Sequence, residues 1–170
     1  MTTFYEIRPA RPSDADAISA MMHASYGELL KPDYNPRILT KALPRISTAR
    51  PELLASGTYY VAERLGTGEI LGSGGWTDIS PTRGLGAAGE GHMRHLAVHP
   101  DVLQQGIGRA LAEVSLASAR ALGVTCLRCM STLTAEPFYQ AMGFGRLQNI
   151  ELTLEPGLFF PAVEMRKDIA

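Results

Sequence analysis

Little in this chain of 170 residues is extreme, and each shortage closes off a class of function. Only two cysteines occur, Cys126 and Cys129, spaced as CLRC, with no second pair to complete a zinc site. The surrounding VTCLRCMS reads as a strand, where an odd separation sends the two thiols to opposite faces. They are therefore expected to be two small hydrophobes and not a redox pair. Neither sign of charge prevails: 16 basic and 17 acidic side chains leave a formal net charge of −1, which predicts no nucleic-acid and no membrane partner. No run approaches the ~18 apolar residues of a membrane span. The opening MTTFYEIRPA has no basic stretch leading into an apolar one, so no signal peptide is read and a cytoplasmic location is expected. The Gly-Lys-Ser/Thr of a P-loop is absent, as are internal repeats and low-complexity tracts. What remains is an ordinary composition, 45% hydrophobic and 19% charged, which fits one domain over 1–170 with a core of its own.

Periodicity divides the chain into alternating strands and helices. Residues 4–8 read as a strand. Pro12, Ser13 and Asp14 then offer helix-start chemistry before Ala15, Ile18, Met21, Met22 and Tyr26, which recur at helical spacing. A second helix is expected within 37–55, strands over 58–63 and 69–78, and a flexible, glycine-rich connection over 79–91. His92–Val98 reads as a strand. The clearest helix is Gly106–Leu122, where Ile107, Leu111, Val114, Ala117 and Ala121 fall at i, i+4, i+7, i+10 and i+14, with Gly123 placed to stop it. A strand at 124–130, a short helix near 134–142, and strands at 146–154 and 162–168 complete the order. The class is α/β (α+β), built on one sheet.

The turn from the strand ending at Val98 into the long helix has the makings of an anion site. The first amides of a helix lack intrahelical partners and carry the positive end of its dipole, so a phosphate collects several hydrogen bonds there. Gly106 and Gly108 let the backbone approach, and Arg109 adds a positive charge in the first turn. The run is not a Rossmann fingerprint, which wants a third Gly or Ala where this chain has Leu111.

The segment HLAVHPDVLQQGIGRAL resembles the acetyl-CoA-binding segment of the GNAT superfamily of N-acetyltransferases, and STLTAEPFYQAMGF resembles the segment carrying that family's tyrosine. With GSGGWT at 72–77 and the order of elements, the likeness runs over nearly the whole chain. It implies a mixed, strongly twisted sheet of about seven strands, flanked by about four helices and splayed where acetyl-CoA lies. By the same resemblance, the backbone of Leu96, Ala97 and Val98 pairs with the pantetheine arm. The backbone of Gln104, Gln105, Gly106, Ile107, Gly108 and Arg109 cups the pyrophosphate. Two positions depart from the family's pattern: Leu103 stands where Gln or Arg is common, and Thr132 or Thr134 where Asn is common, a hydroxyl that can still bond the pantetheine.

The resemblance implies acetyl transfer to a primary amine by direct attack, with no covalent enzyme intermediate. Tyr139 then reads as the acid, since a phenol with pKa near ~10 stays protonated and can donate to the departing thiolate; outside this motif it reads as a packing residue. For the base, Glu90, His92 and Arg94 share one strand face. The family commonly has glutamate at His92, and an imidazole with pKa near ~6.5 can take the proton instead, with Glu90 orienting it or acting through water, or water alone serving. Trp76 is read equally as acceptor wall or core, and Tyr26, Met22, His23, Phe159 and Phe160 as further acceptor-side candidates. The acceptor itself, a small-molecule or peptide amine, and a possible homodimer stay open. So do another acyl group and a non-catalytic acyl-CoA sensor of the same fold.

Overall fold

The computed structural model describes residues 3–80, 84–85 and 88–170. Strand β1 (Tyr5–Pro9) leads through a 3-10 turn to helix α1 (Ala15–Leu29), followed by α2 (Pro36–Ile46) and the single turn α3 (Pro51–Leu54). Strands β2 (Tyr59–Arg64) and β3 (Ile70–Thr77) come next, then a two-residue pairing of β4 (Ile79–Ser80) with β5 (Gly84–Leu85). The second half runs β6 (Glu90–Val98), α4 (Ile107–Ala121), β7 (Cys126–Thr132), α5 (Glu136–Ala141), β8 (Gly145–Glu155) and β9 (Leu158–Asp168). The main sheet has the expected seven strands, and their order is β1-β2-β3-β6-β7-β9-β8. The described helices number five, against about four expected, because the stretch read as one helix within 37–55 is broken after Ile46 and restarts at Pro51. Of the connection read over 79–91, residues 81–83 and 86–87 lie outside the described residues; the rest holds the β4–β5 pairing and the start of β6 at Glu90.

Every neighbouring pair in the sheet is antiparallel except β6 with β7, which the crossover through α4 makes parallel. Helix α1 buries Ile18, Met21 and Met22 on one face against Tyr59, Val61 and Ala97. Helix α4 covers the other face, with Ile107 and Leu111 on Ala62 and Leu71. Its later turns, through Ala112 and Leu116, join Trp76, Met93, Leu127 and α5 in a second cluster. The sheet is thus buried on both sides, which is why β3 reads as a nearly continuous apolar and glycine run instead of alternating.

Strand β9 starts four residues earlier than its pattern announced, at Leu158 instead of 162, although Pro161 lies inside it. Over 158–161 the strand pairs with β8 alone, and pairing with β7 begins only at Thr132↔Ala162. Proline is tolerated on such a one-sided stretch.

Candidate active site

The site begins where two strands part. Strands β6 and β7 are paired only at Glu90↔Cys126, Gly91↔Leu127 and His92↔Arg128; beyond that point each keeps only its outer neighbour. A bulge in β6 widens the gap. Ser73 faces Ala97 and Gly75 faces Arg94, so Gly74 stands opposite both His95 and Leu96, and His95 takes the left-handed φ of 39°. The bulge puts Arg94 and His95 together on the wall of the opening, and Tyr59 fixes it by donating its hydroxyl to the His95 carbonyl at 2.8 Å.

The glycine run before Trp76 exists for this approach. A Cβ on Gly74 would lie 2.7 Å from the Leu96 side chain, and one on Gly75 would lie 2.2 Å from the Thr58 carbonyl oxygen. The parted strands enclose a cavity of about 330 Å³ that passes through the sheet, from Ser25, Tyr26 and Leu30 of α1 and its end to Gly108 and Phe138 on the other side.

At the open end of β6 lies the turn that the sequence marks as a candidate anion site. Gln104 has φ 58° and Gly106 φ 83°, and α4 starts at Ile107 with no side chain capping its first amides. Nothing lies within 4 Å of a Cβ placed on Gly106, so that side of the turn is open. Gln104 and Gln105 are exposed, whereas Ile107 is turned into the core and offers only backbone. Gly108 lies on the cavity wall, where a Cβ would touch the Phe138 ring at 3.4 Å. Arg109 extends into solvent beside Glu113, 3.7 Å away.

Leu96, Ala97, Val98, Leu103, Thr132, Thr134 and Tyr139 all line the cavity. Tyr139 is buried and hydrogen-bonded to the Cys129 thiol, also on the wall; burial pushes Tyr139 well above the ordinary phenol value and Cys129 up to about 12. Both groups are protonated at neutral pH. Phe138 and Phe144 hold the Tyr139 ring edge-on at 5.3 Å each. Thr132 Oγ1 accepts from the Ala135 amide, and Thr134 Oγ1 donates to Asp33. Tyr34 accepts from the Leu133 amide, donates to Pro161 O, and stacks on Phe160. These bonds tie the α1–α2 loop to the β7–α5 loop over the opening.

Glu90 and His92 are brought together, with Oε1 and Nε2 3.5 Å apart, but neither is on the cavity wall. Glu90 also pairs with Arg128 at 3.0 Å, and Arg128 with Glu164 at 2.9 Å, so the group forms an ion network at the paired end of β6 and β7. The titratable group on the wall from this strand is His95, on which burial, then Arg94 and Arg50, lower the pKa to about 4. Trp76 belongs to the core and donates to Ser118. Met22 is core, His23 and Phe159 are exposed, and Tyr26 and Phe160 line the cavity. Sequence reasoning missed His95, Cys129 and Tyr34. A strict two-residue alternation hid His95, and nothing local marks the other two.

A family model described as the acetyltransferase (GNAT) domain matches residues 55–146, just over half of the chain. Among solved structures, a GCN5-related N-acetyltransferase from Rhodopseudomonas palustris is 22% identical, with 99% of this chain and 98% of that one covered at a TM-score of 0.74. The PaiA N-acetyltransferase of Thermoplasma acidophilum, solved with coenzyme A, is 14% identical over 99% of both chains, with a TM-score of 0.71. The ribosomal-protein-S18-alanine N-acetyltransferase of Escherichia coli is 16% identical over 98% of this chain and 94% of its own, with a TM-score of 0.63. At these identities the likeness is one of fold. No curated protein sequence matches the chain.

Proposed function

Because this chain belongs to the GNAT acetyltransferase family, we propose that it transfers an acetyl group from acetyl-CoA to a primary amine by direct attack. One observation carries the reading: parted strands and an uncapped helix start open onto the same cavity region, the first sized for an extended chain, the second for a diphosphate. The unpaired edges of Leu96–Val98 offer amides and carbonyls to a pantetheine arm, and the backbone of 104–109 offers amides to the pyrophosphate. The thioester then reaches the wall formed by Tyr139 and Cys129.

The amine nitrogen attacks the thioester carbonyl, a C–N bond forms and the C–S bond breaks. Tyr139 gives the leaving thiolate a proton; its raised pKa keeps it in the donor form throughout the neutral range. No carboxylate lines the cavity among the described residues. The proton shed by the amine therefore leaves through water. Glu90 and His92, expected as the base pair, act in this reading from behind the wall, holding the strand ends together through Arg128.

Calorimetric titration with CoA, followed by thiol release from acetyl-CoA in the presence of amines, tests the proposal. Saturable binding and amine-dependent release are expected. Folded protein that takes up no CoA at millimolar concentration would remove the reading.

A further inference from the structure

Among the described residues three arginines are largely withdrawn from water, and two of them are paired with carboxylates. Arg8 pairs with Asp14 and Glu63, and Arg128 with Glu90 and Glu164. Arg94 is different. It is 9% exposed and lines the cavity. Its Nη1 donates to the neutral Thr77 hydroxyl at 3.0 Å, and its buried Nε meets no acceptor among the described residues. Arg50 acts on it as a like charge, and Glu52 only more weakly as an opposite one.

A guanidinium cannot shed its proton to escape burial, so an unpaired one calls for an anion from outside. The cavity wall holds no Asp or Glu among the described residues, which is the wrong lining for a polyamine or any acceptor with several positive charges. Beyond Arg94 the wall on the α1–α2 side is mostly apolar, with Leu29, Leu30, Ile46, Leu152 and Phe160 beside the hydroxyls of Ser25 and Tyr26. Arg94 itself lies two residues past the last β6–β7 pair, at the closed end of the gap where the thioester would stop.

We propose that the acceptor is an amine carrying a carboxylate close to its nitrogen, an amino acid with an apolar side chain, whose carboxylate pairs with Arg94. This rests on the acetyltransferase reading above. The reaction joins the α-nitrogen to the acetyl carbon, breaks the C–S bond, and gives the N-acetyl amino acid and CoA thiol, with the amine proton passing to water and the thiolate protonated by Tyr139.

The test is a matched pair of acceptors, leucine and isoamylamine, which is leucine without its carboxylate, with leucinamide and spermidine alongside. A charge-assisted pair of this kind is worth roughly 10- to 100-fold in kcat/KM in favour of leucine. In Arg94→Gln the leucine KM is expected to rise by that factor until leucine and isoamylamine are used equally, and Arg94→Lys to recover part of the difference. Removing an unpaired buried charge does not threaten folding, and the wild-type comparison needs no variant. Equal or better use of isoamylamine, leucinamide or spermidine overturns the inference while leaving the acetyltransferase intact. So does a leucine preference that survives Arg94→Gln. If no amine is acetylated, titration of leucine into the protein–CoA complex decides: no binding overturns the inference, and binding lost in Arg94→Gln upholds it. Absence of CoA binding is instead the failure of the acetyltransferase reading.

Discussion

Replacing Tyr139 with Phe separates chemistry from structure with a single oxygen atom. The ring is held edge-on between Phe138 and Phe144, and those contacts survive the change. What disappears is the hydrogen bond with the Cys129 thiol. A thiol is a weak partner, so the loss belongs at the low end of the ~0.5–1.5 kcal/mol that a net hydrogen bond contributes. For a chain of this size that is about 2 °C in Tm. Turnover should respond far more. A general acid is worth about 10²- to 10⁴-fold, and a donor whose pKa lies well above the ordinary phenol value is a weaker acid than one matched to the operating pH. The expected loss in kcat is therefore near ~10²-fold, about 2.7 kcal/mol in the barrier. CoA affinity should change by less than about threefold, because the turn at 104–109 is untouched. Single-turnover thiol release, with thermal unfolding and CoA calorimetry on the same preparations, reads all three quantities. Single-turnover rates within about twofold of wild type would take Tyr139 out of the mechanism.

Three further outcomes follow from the same geometry. Gly75→Ala puts a methyl 2.2 Å from the Thr58 carbonyl and 2.5 Å from Tyr59 Cα, both backbone atoms that cannot swing aside. A loss of at least ~3 kcal/mol is expected in denaturant unfolding, and a loss under ~1 kcal/mol would mean that β2 and β3 are not so close. Gly106→Ala meets no neighbour but must hold φ 83°, costing about 1–2 kcal/mol, and it places a methyl on the open side of the anion turn. CoA affinity should drop about tenfold by calorimetry, while affinity equal to wild type would separate the turn from the diphosphate. His95 has a folded pKa of about 4 against 6.5 when free, so the unfolded chain takes the proton first. Stability should accordingly be complete above about pH 6.5 and decline as pH falls towards 4, by at most about 3 kcal/mol. His95→Gln should flatten chemical-denaturation curves over that window, and an unchanged slope would show that His95 is not desolvated.

Local pattern was enough wherever a residue's neighbours in the chain decide its state. Helix α4 was legible within a residue at each end, because its apolar stripe and the glycines at 106 and 123 are local signals. The backbone geometry of the turn before it was legible for the same reason, since uncapped amides and a left-handed glycine are properties of a few consecutive residues. So was the opposition of Cys126 and Cys129, which an odd spacing on a strand dictates: one thiol accepts from Arg166 and the other meets Tyr139. What only the tertiary structure decided was every matter of which strand stands beside which. Three pairs join β6 to β7 and then none, a fact set by the crossover and the bulge and written in neither strand alone. That parting makes the cavity, puts His95 on its wall against simple alternation, and leaves Glu90 and His92 at the paired end. Arg94 reads in the sequence as one more polar residue on a strand. Its isolation emerges only when the fold gives Arg8 and Arg128 two carboxylates each and brings it none among the described residues, because pairs such as Arg8–Glu63 and Arg128–Glu164 join residues far apart in the chain and have no local signature.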